Sequence, residues 1–178
     1  METLYFKKIK ELQKEKDRLE SKLGVSIIIN GKKVSIKTDK EDAFYEYEAL
    51  IVLEAMQFGF SAKKALDLLN DDFVFRKIPI KQFTRRKNLK EVRGRIIGKE
   101  GKTKSTIEEI SSCDMLINED ENAVGIIGPA DEIEEATTAI SNLIKGSKQA
   151  NVYRFLERIN AGKKAFDTDL GLKIKNKR

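Results

Sequence analysis

The 178-residue sequence has no histidine, no tryptophan, one cysteine and two prolines. Each shortage excludes something. Without histidine there are no histidine-based triads, no usual zinc sites and not the commonest general base. A hydrolase or metalloenzyme would have to be built from carboxylates alone. A single cysteine, Cys113, rules out an intrachain disulfide. No apolar run reaches the ~18 residues of a membrane-spanning helix. The opening METLYFKKIKELQKEK has neither the apolar core nor the small-residue cleavage site of a secretory leader. The expectation is a cytoplasmic protein with no membrane association, no cofactor and no metal.

What the chain has is charge, unevenly placed. Its 35 basic and 29 acidic residues give a net charge of +6. Residues 81–104 hold ten basic side chains against two acidic ones, a local charge of +8. Residues 105–144 hold ten acids and no Lys or Arg, and 154–178 hold eight basic against three acidic residues. Such segregation makes separate positive and negative surfaces, and the positive one suits a polyanion.

Periodicity divides the chain into short elements. Ile9, Leu12, Lys16, Leu19 and Leu23 follow a loose 3,4 helical spacing that ends at Gly24. Val25–Asn30 and Lys33–Lys37 read as strands around Asn30-Gly31, a hairpin signal. Asp39 or Asp42 is placed to cap a helix with Ala43, Tyr47, Leu50, Ile51 and Phe58 on one face, stopping at Gly59. Ser61 caps a short helix, Ala62–Asn70. Residues 73–80, FVFRKIPI, read as a strand that Pro79 places near an edge or at its end. A helical turn at Lys90–Ile97, the segment Gly98-Lys99-Glu100-Gly101, and a helix at Lys102–Ser112 follow. Strands at Met115–Asn118 and Ala123–Gly128 flank an acidic turn. A helix then carries Ile133, Ala136, Ile140, Leu143 and Ile144 to a stop at Gly146. The last helix is Val152–Asn160, and from Gly162 a Lys-rich tail is expected to fray.

Helix, strand, strand, helix occurs at 8–57 and again at 102–145. Only the second copy shows room for a leading strand and a helix–Gly-x-x-Gly turn. That turn is the informative feature. Two glycines between helices let a sugar-phosphate backbone approach closely. The amides opening the next helix, Gly101 to Thr103, are candidate donors beside a positive dipole end. Lys99, Lys102, Lys104, Arg95 and Arg93 add positive charge, and Ile96 or Ile97 offers an apolar floor for a splayed base. Glu100 tunes charge rather than acting as a base.

GRIIGKEGKTKSTIE, within its strand–helix–GxxG–helix–strand–strand–helix setting, resembles the type I KH module. GFSAKKALDLLNDD before it and NVYRFLERIN after it are similar to the two-KH-domain small-subunit ribosome assembly factor of archaea and eukaryotes, the RNA-binding partner of the Nob endonuclease. The resemblance covers about residues 40–161. It implies binding to the 3′ region of small-subunit ribosomal RNA during final maturation. It also implies contact with that endonuclease and, in archaea, with the α subunit of initiation factor two. It carries the phosphate-cradling role to Gly98, Lys99, Glu100 and Gly101, and the supporting basic role to Arg95, Lys102 and Lys104. The first copy departs from this family. Lys10-Glu11-Leu12-Gln13 stands where its loop would be, and four side chains there would block a backbone from approaching. It reads as a packing scaffold that lacks its leading strand, or equally as a module truncated or misassigned at its start.

The fold expected is α+β: a type I KH module (βααββα) preceded by a truncated KH-like helix-strand-strand-helix module. The divisions are 1–59 for the degenerate module, 60–72 for a linking helix, 73–148 for the KH domain and 149–178 for a C-terminal helix and basic tail. The two sheets pack side by side or share the linking helix. The RNA groove is expected between Gly98–Gly101 with Ile97 and the strand carrying Met115 and Ile117. Arg85, Arg86, Lys87, Arg154 and Arg158 are candidates for a further RNA contact, or else ordinary surface. Cys113, Phe60, Phe73 and Phe75 read as core, with Phe83 divided between core and a base-stacking role. Glu132, Glu134 and Glu135 read as a solvated face. The function expected is non-catalytic binding of single-stranded RNA. The alternative is a protein-interaction scaffold with incidental RNA contact.

Overall fold

The computed structural model describes residues 3–38 and 43–169. The expected caps Asp39 and Asp42 and the end of the tail lie outside the described residues. The N-terminal half runs β1 (Thr3–Tyr5), α1 (Lys10–Leu23), β2 (Ser26–Asn30), β3 (Lys33–Lys37) and α2 (Ala43–Phe58). Its antiparallel sheet has the order β1-β3-β2. Pairing of Asn30 with Lys33 makes Gly31 and Lys32 the turn, and Gly31 takes the left-handed φ of 61° that this position favours.

The leading strand is a correction to the sequence reading. Thr3 and Tyr5 pair with Ser35 and Lys33, Phe6 donates its amide to Lys32 O at 2.8 Å, and its ring is buried. Three residues are too short to show an alternating pattern, so only pairing with β3 reveals the strand. The half is therefore strand-helix-strand-strand-helix and lacks one helix and the loop.

The α2 face also differs from expectation. Ala49, Val52, Leu53 and Met56 are buried, whereas Tyr47 is 61% exposed. The helix carries apolar residues on most of its circumference, so spacing alone does not fix which stripe meets the core.

Ser61 accepts a hydrogen bond from Lys64 N at 3.4 Å and opens α3 (Ala62–Ala65), which passes into a 3₁₀ turn at Leu66–Leu69. The C-terminal half follows as β4 (Phe73–Pro79), α4 (Leu89–Ile97), α5 (Lys102–Ser111), β5 (Asp114–Asn118), β6 (Ala123–Pro129) and α6 (Ala130–Lys145). Its antiparallel sheet, β4-β6-β5, repeats the order of the first. Pro79 ends β4, an edge strand, so its missing N–H costs the ladder little.

The two faces of this second sheet bury different things. Met115, Val124 and Ile126 join Val92, Ile96, Ile107, Ile133, Ile140 and Leu143 in a core beneath the helices. On the opposite face, Phe75, Leu116, Ala123 and Ile127 share one apolar cluster with Phe58 and Phe60 of the preceding segment. The Phe58–Phe60–Phe75 ring centroids are 5.9–6.2 Å apart. A Cβ on Gly125 would lie 2.5–2.9 Å from the Phe58 and Phe60 rings, so glycine on the central strand is what lets these aromatics reach the sheet. Asn118 Nδ2 donates to Phe58 O at 2.7 Å, and Lys64 pairs with Asp114 at 2.8 Å. The sheets thus meet through α2 and the linking helix rather than edge to edge.

Helix α7 (Gln149–Asp169) runs past Gly162, where fraying was expected. Lys163 explains it. Its ammonium donates to Asp131 O at 2.6 Å and pairs with Glu135 at 3.3 Å and Glu132 at 3.5 Å. Glu134 pairs with Arg76 at 2.6 Å. The acidic stripe of α6 is therefore a set of ion pairs rather than a bare solvated face. Cys113 is buried, as expected.

Candidate nucleic-acid interface

Asn88 caps α4 by accepting from Glu91 N at 3.3 Å, and the helix ends on Gly98 at φ 75°. Lys99, Glu100 and Gly101 make a single 3₁₀ turn, with Glu100 at φ 53° and Gly101 at φ 77°, before α5 begins. The two glycines serve different purposes. A Cβ on Gly98 would sit 2.7 Å from Thr103 N, so this glycine is demanded by the protein's own packing. A Cβ on Gly101 would meet nothing within 4 Å. Its left-handed φ favours glycine, and the space beside it is open to an incoming chain.

Thr103 is the residue the sequence reading missed. It is buried, packs against Gly98 and accepts a hydrogen bond from Gln149 Nε2 at 2.7 Å. Gln149 Nε2 also lies 3.3 Å from Arg95 O. The start of α7 thereby braces the join between the loop and α5. A polar residue in a charged helix gave no pattern that marked it.

The amides offered to a phosphate need correcting. Gly101 N donates to Gly98 O at 3.3 Å, and Lys102 N donates to Lys99 O. The loop's own turn satisfies both, so neither of these two amides is a free donor. Lys99 and Lys102 are exposed and have no ion-pair partner among the described residues. Glu100 is exposed as well.

Several predicted basic residues are already engaged. Lys104 pairs with Glu108 at 2.9 Å, and Glu108 also accepts from Met115 N at 2.8 Å. Arg95 Nη2 donates to Ser147 O at 2.8 Å, tying α4 to the α6–α7 turn. Arg93 donates to Asn122 Oδ1 at 2.6 Å, holding α4 to the β5–β6 turn. Arg86 pairs with Glu91 at 3.2 Å, while Arg85 and Lys87 are exposed. Of the apolar candidates, Ile96 is fully buried and Ile97 half-buried, so Ile97 is the one available as a floor. Met115 is 2% exposed and belongs to the core, which removes it as a groove wall; Ile117, on the same face of β5, is half-buried. The alternation of a strand sends both to the helix side, and burial then depends on how far each lies under α5. Phe83 packs on the second core with Lys145 Nζ 5.7 Å from its ring centre. Arg154 and Arg158 are exposed on α7.

The corresponding stretch of the N-terminal half is the first turn of α1. Leu12 there is buried, and Glu11 Oε1 accepts from Ala62 N at 3.2 Å, capping α3. Lys10 and Gln13 are exposed. No loop opens at this position.

The eukaryotic type KH-domain (KH-domain type I) model for the second domain of PNO1 matches residues 74–161. The chain is 31% identical to aDim2p in its complex with a/eIF2alpha and rRNA from Pyrococcus horikoshii OT3, with a TM-score of 0.80 over 90% of this chain and 94% of that one. The chain belongs to the Dim2/Pno1 family of KH-domain proteins. A KH domain-containing protein of Methanocaldococcus jannaschii is 32% identical over 147 residues, 80% of this chain and 64% of that protein. The pre-rRNA-processing protein pno1 of Aspergillus fumigatus is 31% identical over 144 residues, 78% of this chain and 56% of that protein. The chain thus spans between half and two thirds of these two relatives. Within this Dim2/Pno1 fold, no helix among the described residues is long and apolar enough to cross a membrane. No cluster of three or more Cys, Asp or Glu among them could hold a metal ion.

Proposed function

We propose that this chain binds single-stranded ribosomal RNA through the Gly98–Gly101 loop, near the 3′ end of the small-subunit rRNA, during pre-rRNA processing in the cytoplasm. The binding is non-catalytic. Residues 73–148 are the RNA-reading domain, 1–59 a degenerate module that supports it, 60–72 the link and 149–178 a C-terminal helix and tail. A Nob-type endonuclease and the α subunit of initiation factor two are the protein partners this reading carries. Membership of the Dim2/Pno1 family, a relative that processes pre-rRNA and a structural neighbour bound to rRNA support it.

The single observation that carries the reading is the open space at Gly101 between the exposed ammoniums of Lys99 and Lys102, which have no ion-pair partner among the described residues. KH modules grip about four nucleotides at such a loop. Each charge-assisted phosphate contact contributes on the order of 1.5–3 kcal/mol.

The test is filter binding of a ribosomal 3′-end oligomer against a scrambled one, with the wild type and the K99D/E100D double variant. Asp tolerates the left-handed backbone at position 100, so the fold stays intact. Affinity of the variant should fall by roughly a hundredfold or more. Equal affinity of wild type and variant would remove the site, and equal affinity for both oligomers would favour the scaffold alternative.

A further inference from the structure

Helix α7 carries a feature that the loop reading leaves unexplained. Asn151, Arg154, Phe155 and Arg158 line a shallow hollow of about 480 Å³ on its outer side. Asn151 and both arginines are exposed, and Phe155 is half-buried with its ring packed against the second core. Arg154 and Arg158 stand one turn apart, an arrangement that costs an isolated helix stability. Among the described residues neither guanidinium has a carboxylate partner, although Glu157 is exposed beside them. Lys163 on the same helix shows the contrast, since three acceptors from α6 hold it. Among the described residues, no ion pair gives these arginines a purpose.

Their position relative to the loop gives them one. Gln149 fixes the first turn of α7 to Thr103 and Arg95 O, where α5 leaves the loop. Asn160 Nδ2 donates to Ile110 O at the far end of α5, so α7 runs alongside α5 in the same direction. At 1.5 Å rise per residue, Arg154 and Arg158 lie about 7.5 and 13.5 Å along the helix from Gln149. At ~100° per residue they stand about 140° and 180° round the helix from Gln149, so a strand leaving the loop meets them by crossing over α7.

We propose that Asn151, Arg154, Phe155 and Arg158 hold a further stretch of the same single-stranded RNA that the Gly98–Gly101 loop grips. This rests on the loop reading and extends it. The guanidinium forks match phosphate oxygens two at a time. Their planes give an unpaired base a surface to stack on, the accessible part of Phe155 adds apolar contact, and the Asn151 amide can both donate to and accept from a base edge.

The experiment compares a tetranucleotide with a dodecamer from the ribosomal 3′ end, bound to the full chain, its R154Q/R158Q variant and its K99D/E100D variant. Both arginines are exposed, so R154Q/R158Q should keep the wild-type Tm. The dodecamer should bind R154Q/R158Q about tenfold more weakly than wild type, with the slope of log affinity against log salt reduced by about 1.4 for two single-strand phosphates. The tetranucleotide should bind both within twofold. Dodecamer affinity unchanged in R154Q/R158Q overturns the proposal, as does an equal loss for both lengths, which would mean only long-range charge. Failure of the loop reading looks different: K99D/E100D would then keep its tetranucleotide affinity whatever the arginine variant does.

Discussion

The two halves share one chassis and differ in what they do with one stretch of it. Each is a strand, a helical segment, two more strands and a helix, with the same antiparallel order and the late strand in the middle. In the C-terminal half the helical segment is split by a loop whose Gly101 faces open space. In the N-terminal half it is one continuous helix, and Glu11 and Leu12 are committed to capping α3 and filling the core. The outer faces of the sheets divide in the same way. The second is covered by Phe58 and Phe60, while the first leaves Tyr5 and Ile28 exposed. The same sheet order can therefore stand with or without the loop, because sheet pairing and loop geometry draw on different residues.

The comparison breaks most visibly at the seam. Phe58→Ala should cost about 3–5 kcal/mol, because the ring is buried among residues of both halves. Urea unfolding should still show one transition, and a loss below about 1 kcal/mol would mean the halves are energetically independent. Within the loop, Gly98→Ala should cost about 2–3 kcal/mol through its clash with Thr103. Gly101→Ala should cost about 1–2 kcal/mol from backbone conformation alone. Similar Tm values for the two would contradict the separate purposes assigned to these glycines.

A reciprocal pair sharpens the contrast between binding and packing. Lys99→Ala should leave Tm unchanged and weaken RNA binding about tenfold, a charged contact of ~1.4 kcal/mol. Glu11→Ala should lower stability by about 1 kcal/mol and leave RNA affinity alone. Lys10→Asp combined with Gln13→Asp should change RNA affinity less than twofold by titration, since no loop opens there; a tenfold loss would make the first half a second RNA site. The smallest effect is acid sensitivity. The Arg76 guanidinium, hydrogen-bonded to Glu134, holds that exposed carboxyl below its usual range. Its contribution is present above the ordinary carboxylate pKa and disappears as pH falls through the lowered value. Thermal melts between pH 7 and pH 2 should show Arg76→Ala with a slightly flatter acid arm than wild type, and identical arms would mean the pair contributes nothing.

Much of the chassis was legible. β3, the end of α2 at Gly59, the start of α5 at Lys102 and the left-handed stop at Gly146 fall where glycine punctuation and apolar spacing put them. β1 was not, because three residues carry no period of their own. Nor was the buried stripe of α2, a helix apolar on most sides. In the candidate site, the GxxG segment and the exposure of Lys99, Glu100 and Lys102 were legible from composition and spacing. The engagement of Arg93, Arg95 and Lys104 was not, since their partners lie 29 and 52 residues away for the arginines, and on the next turn for the lysine. Met115 and Ile117 share a strand face, and alternation alone could not say that one is core and the other half-open.

By itself the sequence determined the order of elements, the place of the bare loop and the charge around it, because these depend on local period, on glycine's freedom and on residues adjacent in the chain. Tertiary structure alone decided which charges stay available, which face of the second sheet is covered, and that α7 is pinned against the loop through Gln149 and Thr103. Those outcomes depend on groups brought together from distant positions, and no local pattern encodes a partner that only folding supplies.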